Sequence, residues 1–172
     1  QLGGEIGIVL DLLPPIPRSS RSADKYAAKV ADLFFNMIFM DPCVNGQYDD
    51  EYLEILEKHD CMFDILPGEK ELIMENTVDF IGINYYQPQR VRAPKYTPNT
   101  NAPFTPNWYF EDYEMPNRRM NVYRGWEIYP KSIYDIAMRV KNEFGNINWF
   151  MSENGMGVQN EERCINHDGL IQ

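Results

Sequence analysis

Three short apolar runs limit what this chain can fold into: Ile6 to Leu13, Val78 to Tyr86 and Ile147 to Ser152. Each is short for a helix, rich in branched and aromatic side chains, and stopped by polar or turn-forming residues. The first ends in Pro14, Pro15 and Pro17, which cannot donate to a strand ladder. The third ends in Asn154-Gly155, a strong turn pair. Runs of this kind read as strands buried on both faces, as in a parallel sheet.

The segments between them read as helices. From Ser22 to Met40, Tyr26, Ala27, Val30, Leu33, Phe34, Met37 and Ile38 recur at helical spacing. Ser20 or Ser22 suits its N-cap, Asp24 suits the positive end of the dipole, and Asp41-Pro42 closes it. A second helix is expected from about Asp49 to Lys58 and a short one from Glu69 to Asn76. A longer one is expected from about Pro130 to Phe144, with Gly145 at its C-terminal cap. Pro88 to about Met120 reads as a long loop whose rings (Tyr96, Phe104, Trp108, Tyr109, Phe110, Tyr113) argue against simple disorder. Strands alternating with helices predict an α/β fold with crossover helices. No repeat or interior boundary appears, so residues 1–172 read as one segment.

Charge and cysteine content exclude several classes of function. Sixteen basic and 26 acidic residues give a formal charge of −10, which repels nucleic-acid phosphates. Cys43, Cys61 and Cys164 are scattered without metal-ligand spacing and read as reduced thiols of a cytoplasmic protein. His59 and His167 lie far apart, so neither a metal nor another cofactor is expected. No apolar run reaches the roughly 18 residues of a membrane span. The chain opens at Gln1-Leu2-Gly3-Gly4 and drops into an apolar strand, as an interior slice of a longer protein would.

In a parallel α/β fold the chemistry gathers at the C-terminal ends of the strands. Here those ends carry Asp11, then Asn84 with Tyr86, then Glu153. A carboxylate directly after a buried strand sits at the rim of an apolar site, where it can attack an electron-poor carbon or hold a proton. As an alternative, Glu153 is an ordinary acidic residue at a loop start. Asn84 and Tyr86 lie two apart and share a face, where an amide and a phenol can hydrogen-bond a carboxylate and a hydroxyl-rich ligand. Trp126, just before the long helix, suits either stacking on a sugar face or packing against that helix. Asp11 can be a second acid, although an Asp beside prolines is more often structural.

Together these segments resemble glycoside hydrolase family 1, a (β/α)8-barrel family of retaining β-glycosidases. The resemblance rests on Gly7-Ile8-Val9-Leu10, Phe34-Phe35-Asn36 with Asp41-Pro42, and the run from Asn76 to Tyr86. It continues in Gly125-Trp126-Glu127-Ile128-Tyr129-Pro130 and Ser152-Glu153-Asn154-Gly155, in the family's order and over nearly the whole chain. Phe150 to Val158 is similar to the version found in bacterial 6-phospho-β-glucosidases. The resemblance implies a partial barrel, covering about strands five to seven, and a sugar substrate. It implies that Glu153 is the nucleophile and Tyr86 its hydrogen-bond partner. Asn84 becomes an active-site asparagine and Trp126 an aromatic wall on the leaving-group side.

It also implies gaps. The family's acid/base lies in an Asn-Glu-Pro motif, and this chain has none. The expected activity is hydrolysis of β-glucosides, 6-phosphorylated ones foremost, by a longer protein, with this chain alone nearly inactive. Asp11 stands where the family usually has Asn, and Leu13 where a small hydroxyl residue is common. The alternative is a carbohydrate-binding or scaffolding remnant without catalysis. Because a closed barrel takes roughly 250 residues, open sheet edges and self-association are expected of this piece.

Overall fold

The computed structural model describes residues 3–167. In chain order it contains β1 (Gly7–Asp11), β2 (Pro15–Pro17), α1 (Ser22–Asp32), α2 (Ile38–Met40), α3 (Asp50–Lys58) and α4 (Glu69–Glu75). There follow β3 (Phe80–Asn84), β4 (Gln89–Arg92), β5 (Glu111–Asp112), β6 (Met120–Asn121), β7 (Trp126–Glu127), α5 (Lys131–Glu143) and β8 (Asn148–Glu153). The three expected runs form one parallel sheet in the order β1-β3-β8. Its register aligns Asp11 with Asn84, and Asn84 with Glu153, along one line at the C-terminal edge. Between β3 and β8 the register shifts, because Ile83 faces Met151 while Asn84 faces Glu153. Ser152 is therefore an extra residue in β8, a bulge that re-aims the strand end.

The core lies on one face of this sheet, against α1 and α5. Ile81 and Ile83 meet Ala27, Val30, Ala31, Ile136 and Val140 in one buried cluster. Truncating a fully buried isoleucine such as Ile83 to Ala would cost about 2–5 kcal/mol. The other face does not follow the sequence reading: Val9 is 53 % and Phe150 50 % exposed, so these strands are not buried on both sides. The reason is geometric. Three strands make an arc of a barrel, and what would be the barrel interior stays open among the described residues. Gly82 lies in the middle of that face, where an added Cβ would meet Val9 Cγ2 at 2.9 Å and Ser152 Oγ at 3.1 Å.

Two helix boundaries also differ. No serine caps α1: Arg21 is its N-cap without a side-chain bond, and the buried Asp24 accepts instead from Ser19 Oγ (2.5 Å) and the Ala93 N–H (2.9 Å). The helix does not close at Asp41-Pro42. It runs on through π-helical turns at Leu33–Met37 and Asp41–Asn45 and stops at Gly46, whose φ is +72°. Pro42 falls in the first positions of the second π turn, where its missing N–H removes no bond within that turn. Gly46 cannot carry a side chain there, since an added Cβ would lie 2.7 Å from Met74 Cα.

The stretch from Pro88 to Met120 is more ordered than a loop. β4 pairs with β2 in parallel and with β5 antiparallel, making a second small sheet. Its rings clip the chain to α1 and α3: His59 stacks on Phe104 at 4.1 Å, and His59 Nε2 lies 2.8 Å from the Tyr109 hydroxyl. Gly145, at φ +60°, ends α5 as expected, and the Asn146 N–H bonds back to the Val140 carbonyl at 3.1 Å. Cys43 and Cys61 are free thiols, and the side chain of Cys164 lies outside the described residues. Among the described residues, no helix is long and apolar enough to cross a membrane.

Candidate active site

Glu153 closes β8 with its carboxylate exposed on the open side of the sheet. Tyr86, two residues beyond β3, donates its hydroxyl to Glu153 Oε2 at 2.5 Å. A phenol bonded to a carboxylate at that distance makes a short, charge-assisted contact. It occupies one carboxylate oxygen and leaves Oε1 for other work.

The backbone around the pair sets this geometry. The Tyr85 N–H donates to the Glu153 carbonyl at 3.0 Å, and Asn154 Nδ2 donates to the Tyr85 carbonyl at 2.5 Å. The two strand ends are thus cross-tied just where the sheet stops. Buried Tyr85 points to the other side and gives its hydroxyl to the Tyr129 carbonyl at 2.7 Å. Alternation along the chain then returns Tyr86 to the side of Glu153.

The phenol of Tyr86 is pushed above its usual range, first by the hydrogen bond to Glu153 and then by desolvation. It therefore stays a neutral donor through the physiological range. Asp11 is raised too, by partial burial of its carboxyl and by the charge of Glu153 across the sheet edge. Asn84 lies between these carboxylates in register, and its Oδ1 accepts from Ser152 Oγ at 2.7 Å. With that oxygen engaged, its NH2 group keeps the free bonding capacity.

Trp126 comes to the same place from a different direction. It begins β7, which pairs with β6 so that Trp126 faces Asn121. Its half-buried indole lies 4.8 Å from the Tyr86 ring at an interplanar angle of 42°. The next residue fixes it: Glu127, 4 % exposed, takes Arg90 in a two-point grip, Nη2 to Oε1 at 2.7 Å and Nε to Oε2 at 3.1 Å. Arg90 also lies 5.0 Å over the Tyr129 ring.

The structure thus brings Glu153, Tyr86, Asn84 and Trp126 to one corner of the sheet edge, with Asp11 beside them. Sequence reasoning gave no site role to Ser152, Asn121 or Arg124, and read Asn154 only as a turn residue. The bulge that gives Ser152 its role has no sequence signature. Asn121, four residues before Gly125, does carry a turn signal: its Oδ1 accepts from the Tyr123 and Arg124 N–H groups at 3.2 and 3.0 Å.

The parallel sheet with its tyrosine-held glutamate at the C-terminal edge can be set beside known proteins. The family model "Glycosyl hydrolase family 1" matches residues 1–171, and the chain belongs to that family. It is 50 % identical over 169 residues to 6-phospho-beta-glucosidase GmuD of Bacillus subtilis (strain 168), covering 98 % of this chain and 36 % of that protein. It is 29 % identical over 172 residues to Beta-glucosidase A of Acetivibrio thermocellus, covering 99 % of this chain and 36 % of the relative. Among solved structures, the family 1 β-glucosidase of Thermotoga maritima superposes with a TM-score of 0.74 at 26 % identity, over 98 % of this chain and 34 % of that one. The chain therefore spans about a third of the length of these relatives, and its fold is part of a (β/α)8 barrel.

Proposed function

We propose that the protein containing this chain is a retaining β-glycosidase that hydrolyses β-glucosides, preferentially those phosphorylated at the 6-position, in the cytoplasm. The observation that carries this reading is the 2.5 Å bond from the Tyr86 hydroxyl to Glu153 Oε2, at the strand end where such folds keep their chemistry. Family membership supports the reaction class, and the half-identical relative named a 6-phospho-beta-glucosidase supports the phosphorylated sugar.

In this reading Glu153 Oε1 attacks the anomeric carbon, and the bond to the leaving-group oxygen breaks. A second carboxyl group, supplied by another part of the protein, protonates that oxygen. It then takes a proton from water as the water displaces Glu153 from the glycosyl ester. Retaining chemistry needs that group about 5–5.5 Å from the nucleophile. Tyr86 keeps the carboxylate oriented through its hydroxyl. The Asn84 amide hydrogen-bonds a sugar hydroxyl, and Trp126 forms a wall on the leaving-group side. With one carboxyl of the pair, this chain alone turns over substrate far more slowly than the whole protein.

The test uses the full-length protein with 4-nitrophenyl β-glucoside and its 6-phosphate. Turnover of the phosphate is expected to exceed that of the plain glucoside. Glu153→Gln is expected to lower kcat by about a thousandfold or more, as loss of a nucleophile does. Wild-type turnover of neither substrate, or a Glu153→Gln variant as fast as wild type, would overturn the reading.

A further inference from the structure

The hairpin that carries Trp126 holds a guanidinium two residues earlier, and its surroundings are built to hold it still. The Arg124 guanidinium carbon lies 5.5 Å over the Trp126 ring. Its stem packs on Gly157, where an added Cβ would come within 2.7 Å of Arg124 Cγ and 3.2 Å of Nε. The turn beneath is clamped by buried Asn121. Its Oδ1 takes the Tyr123 and Arg124 N–H groups, and its Nδ2 donates to the Gly157 carbonyl at 2.8 Å. Gly125, at φ +71°, lets the turn close. Asn121 therefore ties the Arg124 turn to the segment that follows the nucleophile strand.

Arg124 stands apart from the other arginines of this region. Among the described residues, no carboxylate pairs with it, whereas Arg90, Arg92 and Arg139 all have acidic partners. Contacts lead outward in one line: Glu153 to the Tyr86 hydroxyl, the Tyr86 ring to Trp126, and Trp126 to Arg124. An exposed guanidinium, with five donors and no acceptor, matches a ligand rich in acceptor oxygens. Its packing on Gly157 and Trp126 has already removed part of the side-chain freedom that binding would otherwise cost.

We propose that Arg124 is a specificity residue that hydrogen-bonds the hydroxyl oxygens of a sugar leaving group, and so favours disaccharides over aryl glucosides. An aryl group can lie on Trp126 but offers the guanidinium little to bind. This rests on the reading of Glu153 as nucleophile and Trp126 as the leaving-group wall.

The test compares one donor sugar with two leaving groups in the full-length protein: cellobiose 6′-phosphate and 4-nitrophenyl β-glucoside 6-phosphate. The ratio of the two kcat/KM values on one preparation does not depend on the fraction folded. Arg124→Ala is expected to lower the ratio, disaccharide over aryl, by about tenfold or more, the worth of a hydrogen bond to a charged donor. The change should lie mainly in KM for the disaccharide. Arg124→Lys should restore part of the ratio. Gly157→Ala, which keeps the charge but displaces the stem, should lower it in the same direction. An unchanged ratio in Arg124→Ala would overturn the inference while leaving the glycosidase reading intact. Wild-type turnover of neither substrate would overturn both.

Discussion

Replacing Arg90 by Met should destabilise this protein far more than the loss of an ordinary surface ion pair. Arg90 and Glu127 side chains are 12 % and 5 % exposed, and two N–H···O bonds join them. Met fills much of the same volume but leaves Glu127 as an uncompensated charge under β4 and β7. Breaking a buried pair in this way costs about 3–5 kcal/mol, a large part of the total stability of about 5–15 kcal/mol. Removing both charges, in Arg90→Met with Glu127→Leu, should recover most of the loss, since apolar replacement of a buried pair is often neutral. Equilibrium urea unfolding of the full-length protein, with the two single variants and the double variant, reads the cycle. A loss of less than about 1 kcal/mol in Arg90→Met, the range of exposed pairs, would refute the reasoning.

Two further outcomes follow from the site and its surroundings. Tyr86→Phe removes the donor to Glu153 and should lower kcat of the full-length enzyme by about tenfold or more with little change in fold, measured by steady-state kinetics and circular dichroism. His59 is lowered from its usual pKa by burial among rings first and by Lys58 second, so the unfolded chain takes up its proton before the folded one. Stability is therefore expected to fall as the pH drops below roughly 6.5, and His59→Phe should flatten that part of a stability–pH profile. An equally steep profile in the variant would place the effect elsewhere.

Much of the frame was legible because it depends on local pattern. Apolar runs closed by Pro14 or by Asn154-Gly155 announced strands, and the helical spacing from about Pro130 to Phe144 with Gly145 after it announced α5, observed at Lys131–Glu143. The strand ends named in advance, at Asp11, Asn84 and Glu153, do fall in line across the sheet. What sequence could not supply was tertiary. Tyr86 and Glu153 are 67 residues apart, and only the resemblance to a family suggested their contact. Arg90 and Glu127, 37 apart, gave no signal of pairing. The helix ran past Asp41-Pro42 because π turns absorb a proline that an α-helical ladder would reject. Val9 and Phe150 looked like core residues by type. They stand exposed because the elements that would face them are not among the described residues.

The most direct test of the central claim is covalent trapping. The full-length protein would be incubated with 2,4-dinitrophenyl 2-deoxy-2-fluoro-β-glucoside, with and without a 6-phosphate, and its intact mass and peptide map recorded. The fluorine slows both steps, and the good leaving group lets the first proceed, so a glycosyl-enzyme accumulates. The account predicts a mass gain of one fluoroglycosyl unit, faster with the phosphorylated reagent, with the label on Glu153. A label on another carboxylate, or turnover of substrate with no trapped ester at all, would contradict it.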